Sequence, residues 1–276
     1  MAITGRQREL LDQWFPGAAV ARDHSWGLVG TTVLELTHEG ARYIVKAADD
    51  KDHHLAREVH AHREWLAPWA SLGRAPQLVH ADEDAKLLVT RYLPGTLVEG
   101  SADESRQEVY FQAGELLARL HAQFAVEDAH FEAKANAKSL WWLNRPNRIA
   151  VEDAARLRAM IEAWPVPASV LVPTHGDWQP RNWLVHEGQV RVIDFGRSEL
   201  RPAFTDFARL SVQQFRADPL LERSFLAGYG EDPRESRAWQ RNLVREAIGT
   251  VSWAYQVGDT AFEEQGRRMI ADVLVA

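Results

Sequence analysis

The chain has 276 residues, of which 46% are hydrophobic and 26% charged, a balance typical of a folded, water-soluble protein. It contains no cysteine, which excludes a disulfide framework, thiol catalysis and a thiolate metal site. The net charge of −7 argues against general nucleic-acid binding, and no run approaches the roughly 20 apolar residues that span a bilayer. Because its start lacks a signal-peptide core, the chain is expected to be cytoplasmic, with no membrane partner.

The first third of the chain carries both strand and helix signals. Apolar runs around turn residues predict strands, and apolar residues at helical spacing predict an amphipathic helix between them. In chain order, the predicted elements are a helix over 6–15, a hairpin of strands 33–36 and 43–47, a helix over 52–70, and strands 78–80 and 87–90. Strands with one long helix among them predict an α+β domain.

A Pro-Gly pair at 94–95 interrupts this pattern. Ser101 and Glu104 then have the spacing of a capping box, which predicts that the next helix begins there. Beyond that point the chain is predicted to be mainly helical, except for one hairpin. We therefore expect two domains, 1–93 and 94–276, joined by a short connector so that they share a cleft.

The most specific chemical signal is a set of oxygen-bearing side chains around that hairpin. Asn182 follows Asp177 by five residues, and Asp194 follows it by seventeen, after the predicted strands 183–186 and 189–193. Phosphoryl transfer needs positioning and charge neutralisation, and Mg²⁺ prefers oxygen ligands. Asp177 is therefore the predicted base, and Asn182 and Asp194 are the predicted Mg²⁺ ligands. The alternative is that both aspartates are ordinary turn residues.

Two motifs carry a resemblance to a known family. The chain reads His-Gly-Asp-x-x-x-x-Asn over 175–182 and Ile-Asp-Phe-Gly over 193–196. Together they resemble the aminoglycoside phosphotransferase and choline kinase family, small-molecule phosphotransferases of the protein-kinase-like fold. The resemblance implies an α+β, bilobal fold with a small β-rich N-lobe, a mostly helical C-lobe, and ATP and Mg²⁺ as cofactors. It also implies structural roles for His175 and Asp206.

A lysine at the end of a strand is the main nucleotide-binding candidate. Lys46 ends the second strand of the first hairpin and matches the kinase lysine that pairs with the α- and β-phosphates. Glu58 on the next helix, beside the apolar Val59, is the expected partner, and Glu64 is the alternative. The competing interpretation is an exposed lysine and a solvated helix charge.

Further nucleotide contacts are predicted in two loops. Ser25, Gly27 and Gly30 precede a strand, where glycine lets backbone N–H groups approach phosphate, although such a pair of glycines is also typical of a plain turn. The resemblance implies a hinge in which backbone groups at Arg91 and Leu93 meet the adenine. Backbone contacts of this kind leave ATP and GTP undistinguished.

Aromatic and acidic side chains of the second half are candidates for binding the acceptor substrate. The candidates are Trp141, Trp142, Glu246 and Trp253, with Glu263 and Glu264 as further acids. Glu246 and Trp253 are seven residues apart and so share a helix face. Acidic and aromatic groups together suit a cationic substrate, and they equally suit ordinary packed helices.

Arg181 and a group of histidines each have two interpretations. Arg181 is expected to contact either phosphate or an acidic neighbour, and the sequence does not decide which. The histidines are predicted to form a solvated helix face rather than a metal site, because no acidic cluster completes a ligand set. They are His53, His54, His60 and His62.

Three functions remain open from the sequence. The favoured one is an ATP-dependent O-phosphotransferase acting on an aminoglycoside-like compound, an amino alcohol or a sugar, with antibiotic resistance as one outcome. The second is a non-catalytic nucleotide-binding protein, which has no need of Lys46, Asp177, Asn182 and Asp194 together. The third, a protein kinase, is disfavoured because the loop reads His-Gly-Asp and no Ala-Pro-Glu motif follows.

Overall fold

The computed structural model describes residues 3–25 and 30–275. In these ranges the α-helices are α1 (Gly5–Trp14), α2 (His54–Glu64), α3 (Ala67–Ala70), α4 (Gln107–His121), α5 (Phe131–Leu143), α6 (Val151–Ala163), α7 (Ala208–Val212), α8 (Gln214–Ala217), α9 (Pro219–Tyr229), α10 (Ser236–Val257) and α11 (Thr260–Val275). The strands are β1 (Ala19–Asp23), β2 (Thr31–His38), β3 (Ala41–Ala48), β4 (Leu78–Asp82), β5 (Leu87–Arg91), β6 (Thr96–Leu97), β7 (Val126–Asp128), β8 (Ser169–Thr174), β9 (Trp183–His186), β10 (Gln189–Val192) and β11 (Glu199–Arg201). Short 3₁₀ turns cover Ala102–Ser105, Pro180–Asn182 and Ala203–Phe207.

By their contacts, the described residues form two compact units. The first unit lies within Met1–Gln123, His175–Glu199 and Leu220–Gly230, and the second within Phe124–Thr174, Leu200–Pro219 and Glu231–Ala276. The first unit therefore contains both the N-terminal sheet and the hairpin with its predicted catalytic loop. The functional division expected after residue 93 stays a prediction.

The N-terminal sheet is antiparallel and has the strand order β1-β2-β3-β5-β4. Successive strand residues point to opposite faces, so Val45 and Ala47 pack against α1 while Leu88 packs against α2 on the other face. Lys46 lies between Val45 and Ala47 and pairs across the ladder with Leu88. The strand period therefore directs Lys46 to the face that α2 covers.

The helix predicted over 52–70 is wrong as a single element. It is divided into α2 and α3, because Pro68 lacks an N–H donor and its ring is incompatible with the interior of a continuous helix. Pro68 is instead accommodated in the first turn of α3. The start is also later than predicted, since the Asp52 carboxylate accepts hydrogen bonds from the backbone N–H groups of His54 (2.9 Å) and Leu55 (2.8 Å).

The capping box predicted at Ser101 does not open the next α-helix, because Ser101 caps the start of a 3₁₀ turn instead. The Ser101 hydroxyl accepts from the Asp103 N–H at 3.2 Å, and the Glu104 carboxylate accepts from the Gly100 N–H at 2.7 Å rather than from Ser101. Helix α4 begins after this turn, at Gln107. Local hydrogen bonds of this kind satisfy a single turn as well as a helix start, so the motif alone does not fix the helix boundary.

The predicted second hairpin is present as β9 and β10, with Glu187 and Gly188 between them. Both turn residues have positive φ, 51° and 73°, as a tight two-residue hairpin turn requires. Strand β6 pairs with β9, and the Trp183 side chain at the start of β9 is fully buried. The loop that precedes β9 is therefore fixed at its C-terminal end by strand pairing and by the buried Trp183 side chain.

The second unit combines the three-stranded sheet β11-β8-β7 with helices from the C-terminal half. Helices α10 and α11 approach closely at Gly266, where a Cβ atom would lie 2.6 Å from the backbone nitrogen of Val251. The sequence did not predict β7 and β11, which have three residues each. A β-rich N-terminal part and a mainly helical C-terminal part confirm the predicted α+β class. None of the described helices has the length and apolarity that crossing a membrane requires.

Candidate active site

The predicted catalytic loop is braced by His175, whose side chain is fully buried. Its Nε2 donates to the carbonyl of Ile193 at 3.1 Å, and its Nδ1 accepts from the backbone N–H of Asp177 at 3.2 Å. The imidazole therefore connects the loop to the segment that carries Asp194. Gly176 has a φ of 78°, in the left-handed region that favours glycine, so a larger residue there would be strained.

The Asp177 carboxylate is held by three side chains of its own loop. Gln179 Nε2 donates to Oδ1 at 2.6 Å, and Arg181 Nη2 and Asn182 Nδ2 donate to Oδ2 at 2.5 and 3.2 Å. Asp177 is only 4% exposed, whereas the Arg181 side chain is 39% exposed. Of its two expected partners, Arg181 therefore contacts the acidic neighbour.

Asn182 is oriented by the same carboxylate. Its Nδ2 donates to the backbone carbonyl of Asp177 at 2.8 Å as well as to Oδ2. These bonds use the amide nitrogen, so the amide oxygen remains as the group that suits Mg²⁺. No group of three or more His, Cys, Asp or Glu side chains in the described residues could hold a metal. A site with two protein oxygen ligands fits Mg²⁺, which binds through one or two carboxylates plus substrate phosphates.

Lys46 lies between two carboxylates. Its Nζ donates to both Glu58 oxygens at 2.8 Å and to Asp194 Oδ1 at 3.0 Å. The Lys46 and Glu58 side chains are 19% and 6% exposed, so the expected contact forms in a largely buried setting, and Glu64 is not the partner. Phe195 N–H also approaches Glu58 Oε1, at 3.4 Å. Glu58 thus connects β3 to the segment after β10.

The charges around Lys46 shift its pKa and those of its partners. Burial alone would lower the pKa of Lys46, but the Asp194 and Glu58 carboxylates outweigh it and raise that pKa. The Lys46 ammonium lowers the pKa of Asp194, against burial and against the negative charge of Asp177. Burial raises the pKa of Glu58, and Lys46 opposes that rise. Lys46 is therefore a permanent cation at this site.

The backbone at Asp194 has a φ of 66°, which is uncommon for a residue other than glycine. Such a conformation persists only where its surroundings hold it, and here Lys46 and the Phe195–Glu58 contact do so. The next contact is from His54, whose Nδ1 donates to the Gly196 carbonyl at 2.9 Å. Burial lowers the pKa of His54, although this hydrogen bond opposes the shift.

The prediction of a solvated histidine face is wrong for His62, and His54 has a contact that the sequence did not reveal. His62 is 8% exposed, and its ring meets Phe195 edge to face with centroids 5.6 Å apart. Burial, and then the positive charge of Lys46, lower the pKa of His62 to about 3. Helical position alone offered little signal for either role, because the covering segment is more than 130 residues away in sequence.

The predicted phosphate loop is described only at its ends, because Gly27 lies outside the described residues. The Ser25 hydroxyl accepts from the Val33 N–H at 3.0 Å, which ties the loop to β2. Gly30 approaches Asp49 so closely that a Cβ atom would lie 2.1 Å from its Oδ2. A larger residue at position 30 would therefore displace the Asp49 side chain.

The predicted hinge follows β5. The N–H groups of Arg91 and Tyr92 donate to the carbonyls of Gln77 (2.8 Å) and Arg42 (3.0 Å). Within the part of the chain that the structure describes, the Leu93 N–H has no hydrogen-bond partner. The guanidinium of Arg42 lies 3.6 Å from the centre of the Tyr92 ring and holds this segment. The backbone thus presents a donor at Leu93, and its contact with adenine stays a prediction.

The predicted acceptor residues all belong to the second unit. The Trp141 ring is 47% exposed and carries the Arg145 guanidinium at 4.3 Å, while Trp142 meets it edge to face. Trp253 packs edge to face on Phe262. Glu246 has no hydrogen-bond or ion-pair partner within the described ranges. The two groups of predicted residues, catalytic and acceptor, therefore lie in different units.

Glu263 and Glu264, the two further acids predicted to bind a cationic substrate, already form ion pairs with arginines. Asp206, the predicted scaffold residue, is buried. Glu263 contacts Arg148 at 3.2 Å and Arg267 at 3.7 Å, and Glu264 contacts Arg267 at 3.2 Å. Asp206 is 2% exposed in the 3₁₀ turn before α7. Its burial fits the expected scaffold position.

These features define a class of protein. A strand lysine paired with a helix glutamate, an aspartate–asparagine loop and a second aspartate beside the lysine form the arrangement of protein-kinase-like phosphotransferases. The chain belongs to the phosphotransferase enzyme family, whose family model matches residues 22–239. The predicted family and the predicted enzyme class are thereby confirmed.

Solved structures of low sequence identity share the fold. A ternary complex of a thermostable mutant of aminoglycoside phosphotransferase APH(4)-Ia with ADP and hygromycin B has a TM-score of 0.72 at 13% identity, covering 98% of each chain. The macrolide 2'-phosphotransferase MphH from Brachybacterium faecium has a TM-score of 0.60 at 16% sequence identity, and the match covers 95% of each chain. A choline/ethanolamine kinase family protein from Mesorhizobium loti has a TM-score of 0.65 at 21% sequence identity, and the match covers 99% of this chain and 94% of that one. No curated protein matches the sequence.

Proposed function

We propose that this protein transfers the γ-phosphate of ATP to a hydroxyl group of a small molecule. The observation that carries the proposal is the joint geometry of the first unit, in which Lys46 binds Glu58 and Asp194 while Asp177 holds Asn182. A chain that only bound nucleotide would not need all five. The structural relatives include an aminoglycoside phosphotransferase in complex with hygromycin B, a macrolide 2'-phosphotransferase and a choline/ethanolamine kinase family protein, and these names support a hydroxylated acceptor.

In the proposed reaction, the acceptor hydroxyl lies within hydrogen-bond reach of Asp177 and in line with the γ-phosphorus. Its oxygen attacks phosphorus, and its proton passes to the Asp177 carboxylate. The bond from phosphorus to the β–γ bridging oxygen breaks, and ADP leaves with that electron pair. His175 keeps the loop in place, and Asp206 supports the scaffold, while neither takes part in proton transfer.

Lys46 is the proposed contact for the α- and β-phosphates, with Glu58 orienting it. The amide oxygen of Asn182 and the Asp194 carboxylate would hold Mg²⁺, which supplies charge neutralisation of the phosphates when bound. Asp194 has a carboxylate oxygen beyond the one that meets Lys46, so both roles fit the same residue.

The remaining nucleotide contacts are proposed at the sheet. The adenine edge would meet the Arg91 carbonyl and the Leu93 N–H, and the loop with Ser25, Gly27 and Gly30 would lie over the phosphates. These backbone contacts are compatible with ATP and do not reject GTP. Residues 1–93 would act as the nucleotide-binding lobe in this scheme.

The acceptor would bind to the remaining part of the chain, 94–276, at Trp141, Trp142, Glu246 and Trp253. Because Arg145 already covers the Trp141 ring, a cationic acceptor would compete with that arginine. A neutral hydroxylated acceptor avoids this competition. Antibiotic, amino alcohol and sugar remain the acceptor types for the test.

The test is turnover of labelled ATP with a panel of aminoglycosides, macrolides, choline, amino acids and sugars, with and without Mg²⁺. We expect acceptor-dependent transfer that requires the divalent ion and that Asp194→Ala abolishes. Nucleotide binding with no turnover on any acceptor would favour the non-catalytic alternative. Full activity of Asp194→Ala would contradict its assignment as a metal ligand.

A further inference from the structure

Arg181 stands apart from the other arginines of the first unit because it contacts the proposed base. It lies on the 3₁₀ turn Pro180–Asn182, and its Nη2 is 2.5 Å from Asp177 Oδ2. Gln179 and Asn182 donate to the same carboxylate, so Arg181 is one of a group of donors around Asp177. Any group that reaches Asp177 must therefore approach beside this guanidinium.

The Arg181 guanidinium has donors beyond the one that meets Asp177. Arginine carries five N–H groups, and those of Arg181 other than the Nη2 donor have no partner within the described ranges. The Arg181 side chain is 39% exposed, whereas the Asp177 carboxylate that it contacts is 4% exposed, so the guanidinium extends from the buried base toward solvent. Lys46, in contrast, has contacts to Glu58 and Asp194 already.

The geometry points to Arg181 as a catalytic residue that contacts the transferring phosphoryl group from the acceptor side while it holds Asp177. This inference rests on the proposed phosphotransfer. An acceptor oxygen that is hydrogen-bonded to Asp177 and in line with phosphorus brings the equatorial phosphoryl oxygens next to that carboxylate. The guanidinium bound to the same carboxylate then lies beside them.

A cation at this position would stabilise the negative charge of the phosphoryl-transfer transition state. In a loose phosphoryl-transfer transition state, negative charge spreads over three equatorial oxygens, and cations that meet those oxygens lower the barrier. Lys46 approaches from the nucleotide side, so Arg181 would complete the neutralisation from the opposite side. Arginine suits both contacts at once, because its planar fork donates in two directions, whereas a lysine has one ammonium.

The first experiment measures steady-state transfer by Arg181→Met, which retains length and removes charge and donors. We expect kcat to fall about 10- to 100-fold, the effect of one charge-assisted hydrogen bond, with ADP affinity unchanged. Arg181→Lys should recover only part of the loss. Arg119→Met is the matched control, because Arg119 is an exposed helix residue that pairs with Glu115 at 4.0 Å, and it should leave kcat unchanged.

The second experiment separates a phosphoryl contact from mere support of Asp177. Aluminium fluoride with ADP and Mg²⁺ mimics the transferring group, and transition-state analogues bind more tightly than ground-state ligands. ADP affinity should rise with aluminium fluoride in the unmodified protein, and Arg181→Met should lose that rise while binding ADP alone as before. If the rise persists in Arg181→Met, the phosphoryl contact is refuted even when kcat falls.

Two further outcomes are distinguishable. If the unmodified protein transfers no phosphate to any acceptor, the proposed function fails, independently of Arg181. If Arg181→Met does not fold, as judged by circular dichroism and ADP affinity, Arg181→Gln serves instead, since its amide can still donate to Asp177 without carrying charge. A kcat of Arg181→Gln equal to that of the unmodified protein would overturn the inference.

Discussion

Lys46 shows how one side chain depends on three separate pieces of sequence. The strand period turns it toward α2, the helix supplies Glu58, and the segment after β10 supplies Asp194. Breaking a pair of this kind leaves a buried charge without its partner, which costs more than the pair contributes. The site is therefore sensitive to each of the three residues.

Lys46→Ala tests the nucleotide side of the site. We expect a higher KM for the nucleotide and a kcat lower by one or more decades, because a charge-assisted contact to phosphate contributes about 1.5–3 kcal/mol. Steady-state kinetics over a range of ATP concentrations measures both values. Lys138→Ala, the same change at an exposed lysine of α5, should leave them as they are. Unchanged kinetics of Lys46→Ala would contradict the role.

Sequence spacing predicted some residues and missed others for a physical reason. Asp177, Asn182 and Asp194 lie in one short stretch, so local motifs sufficed to predict them. The contact between Lys46 and Glu58 was predicted from the match of Lys46 to the kinase strand lysine and from the position of Glu58 beside the apolar Val59. The partner of Arg181 depends on the side-chain rotamer within its loop, which residue spacing does not reveal. The partner of His54 depends on how its helix is placed against a segment far away in sequence.

At the scale of elements, the buried His62 makes the stability of the first unit depend on pH. Its folded pKa of about 3 lies below the ordinary 6.5, so between these values the unfolded chain binds one more proton than the folded chain. The free energy of unfolding therefore falls as the pH drops from 6.5, by at most about 1.4 kcal/mol per pH unit from this group. Above pH 6.5 the group is neutral in both states and has no effect.

His62→Leu removes this group and should flatten the pH dependence. The free energy of unfolding of the variant relative to the unmodified protein should rise by up to about 1.4 kcal/mol for each pH unit below 6.5. Urea unfolding at pH 7, 6 and 5 measures it. His60→Leu, the same change at an exposed position of the same helix, is the control. A constant difference between His62→Leu and the unmodified protein at all three pH values would contradict the account.

Helices α4 and α9 approach each other closely at Gly114, which has no side chain to separate them. A Cβ atom on Gly114 would lie 2.1 Å from the carbonyl oxygen of Phe225, so Gly114→Ala should destabilise the protein by about 1–3 kcal/mol in urea or thermal unfolding. Gly249→Ala in α10 is the matched control, because apart from its chain neighbours and the nearby backbone of its own helix no atom lies within 4 Å of its Cβ position. That control should stabilise by about 0.4–1 kcal/mol, and equal effects at both sites would contradict the close approach.

Element boundaries show where local signals stop being sufficient. The break between α2 and α3 has a local cause, Pro68, and was available in the sequence. The 3₁₀ turn after Ser101 uses the same residue types as a helix start, so local residue types could not distinguish the two. Strands β7 and β11 are too short for a periodic signal, and they form only because β8 lies between them.

At the scale of the whole molecule, some of the carboxylates behind the net charge of −7 are paired with arginines in the second unit. Glu132 is bound by Arg241 at 2.9 Å and by Arg245 at 2.8 Å, and Glu263 is bound by Arg148. Composition could not reveal these pairings, because they join segments far apart in sequence. They neutralise carboxylates that composition alone would assign to a cationic ligand.

Glu246 is the remaining test of a cationic acceptor. If the acceptor is a cation, Glu246→Gln should weaken its binding and spare nucleotide affinity, since the change removes one negative charge from the second unit. Paired titrations of acceptor and nucleotide measure the two affinities, and Glu162→Gln at an exposed position of α6 is the control. Equal loss of both affinities would indicate a folding defect. Unchanged affinity for a cationic acceptor would place its site elsewhere.

Family and fold were within reach of the sequence because Asp177, Asn182 and Asp194 fall in two recognisable local motifs. No comparable motif marks the acceptor site, which stays a proposal. The central claim is that Asp177 is the base in transfer to a hydroxyl. The most direct measurement is phosphate transfer from labelled ATP to the best acceptor of the panel by Asp177→Asn, which is isosteric and cannot accept the proton. We expect transfer to fall by about 10²–10⁴-fold with nucleotide affinity retained. Transfer at the rate of the unmodified protein would contradict the account.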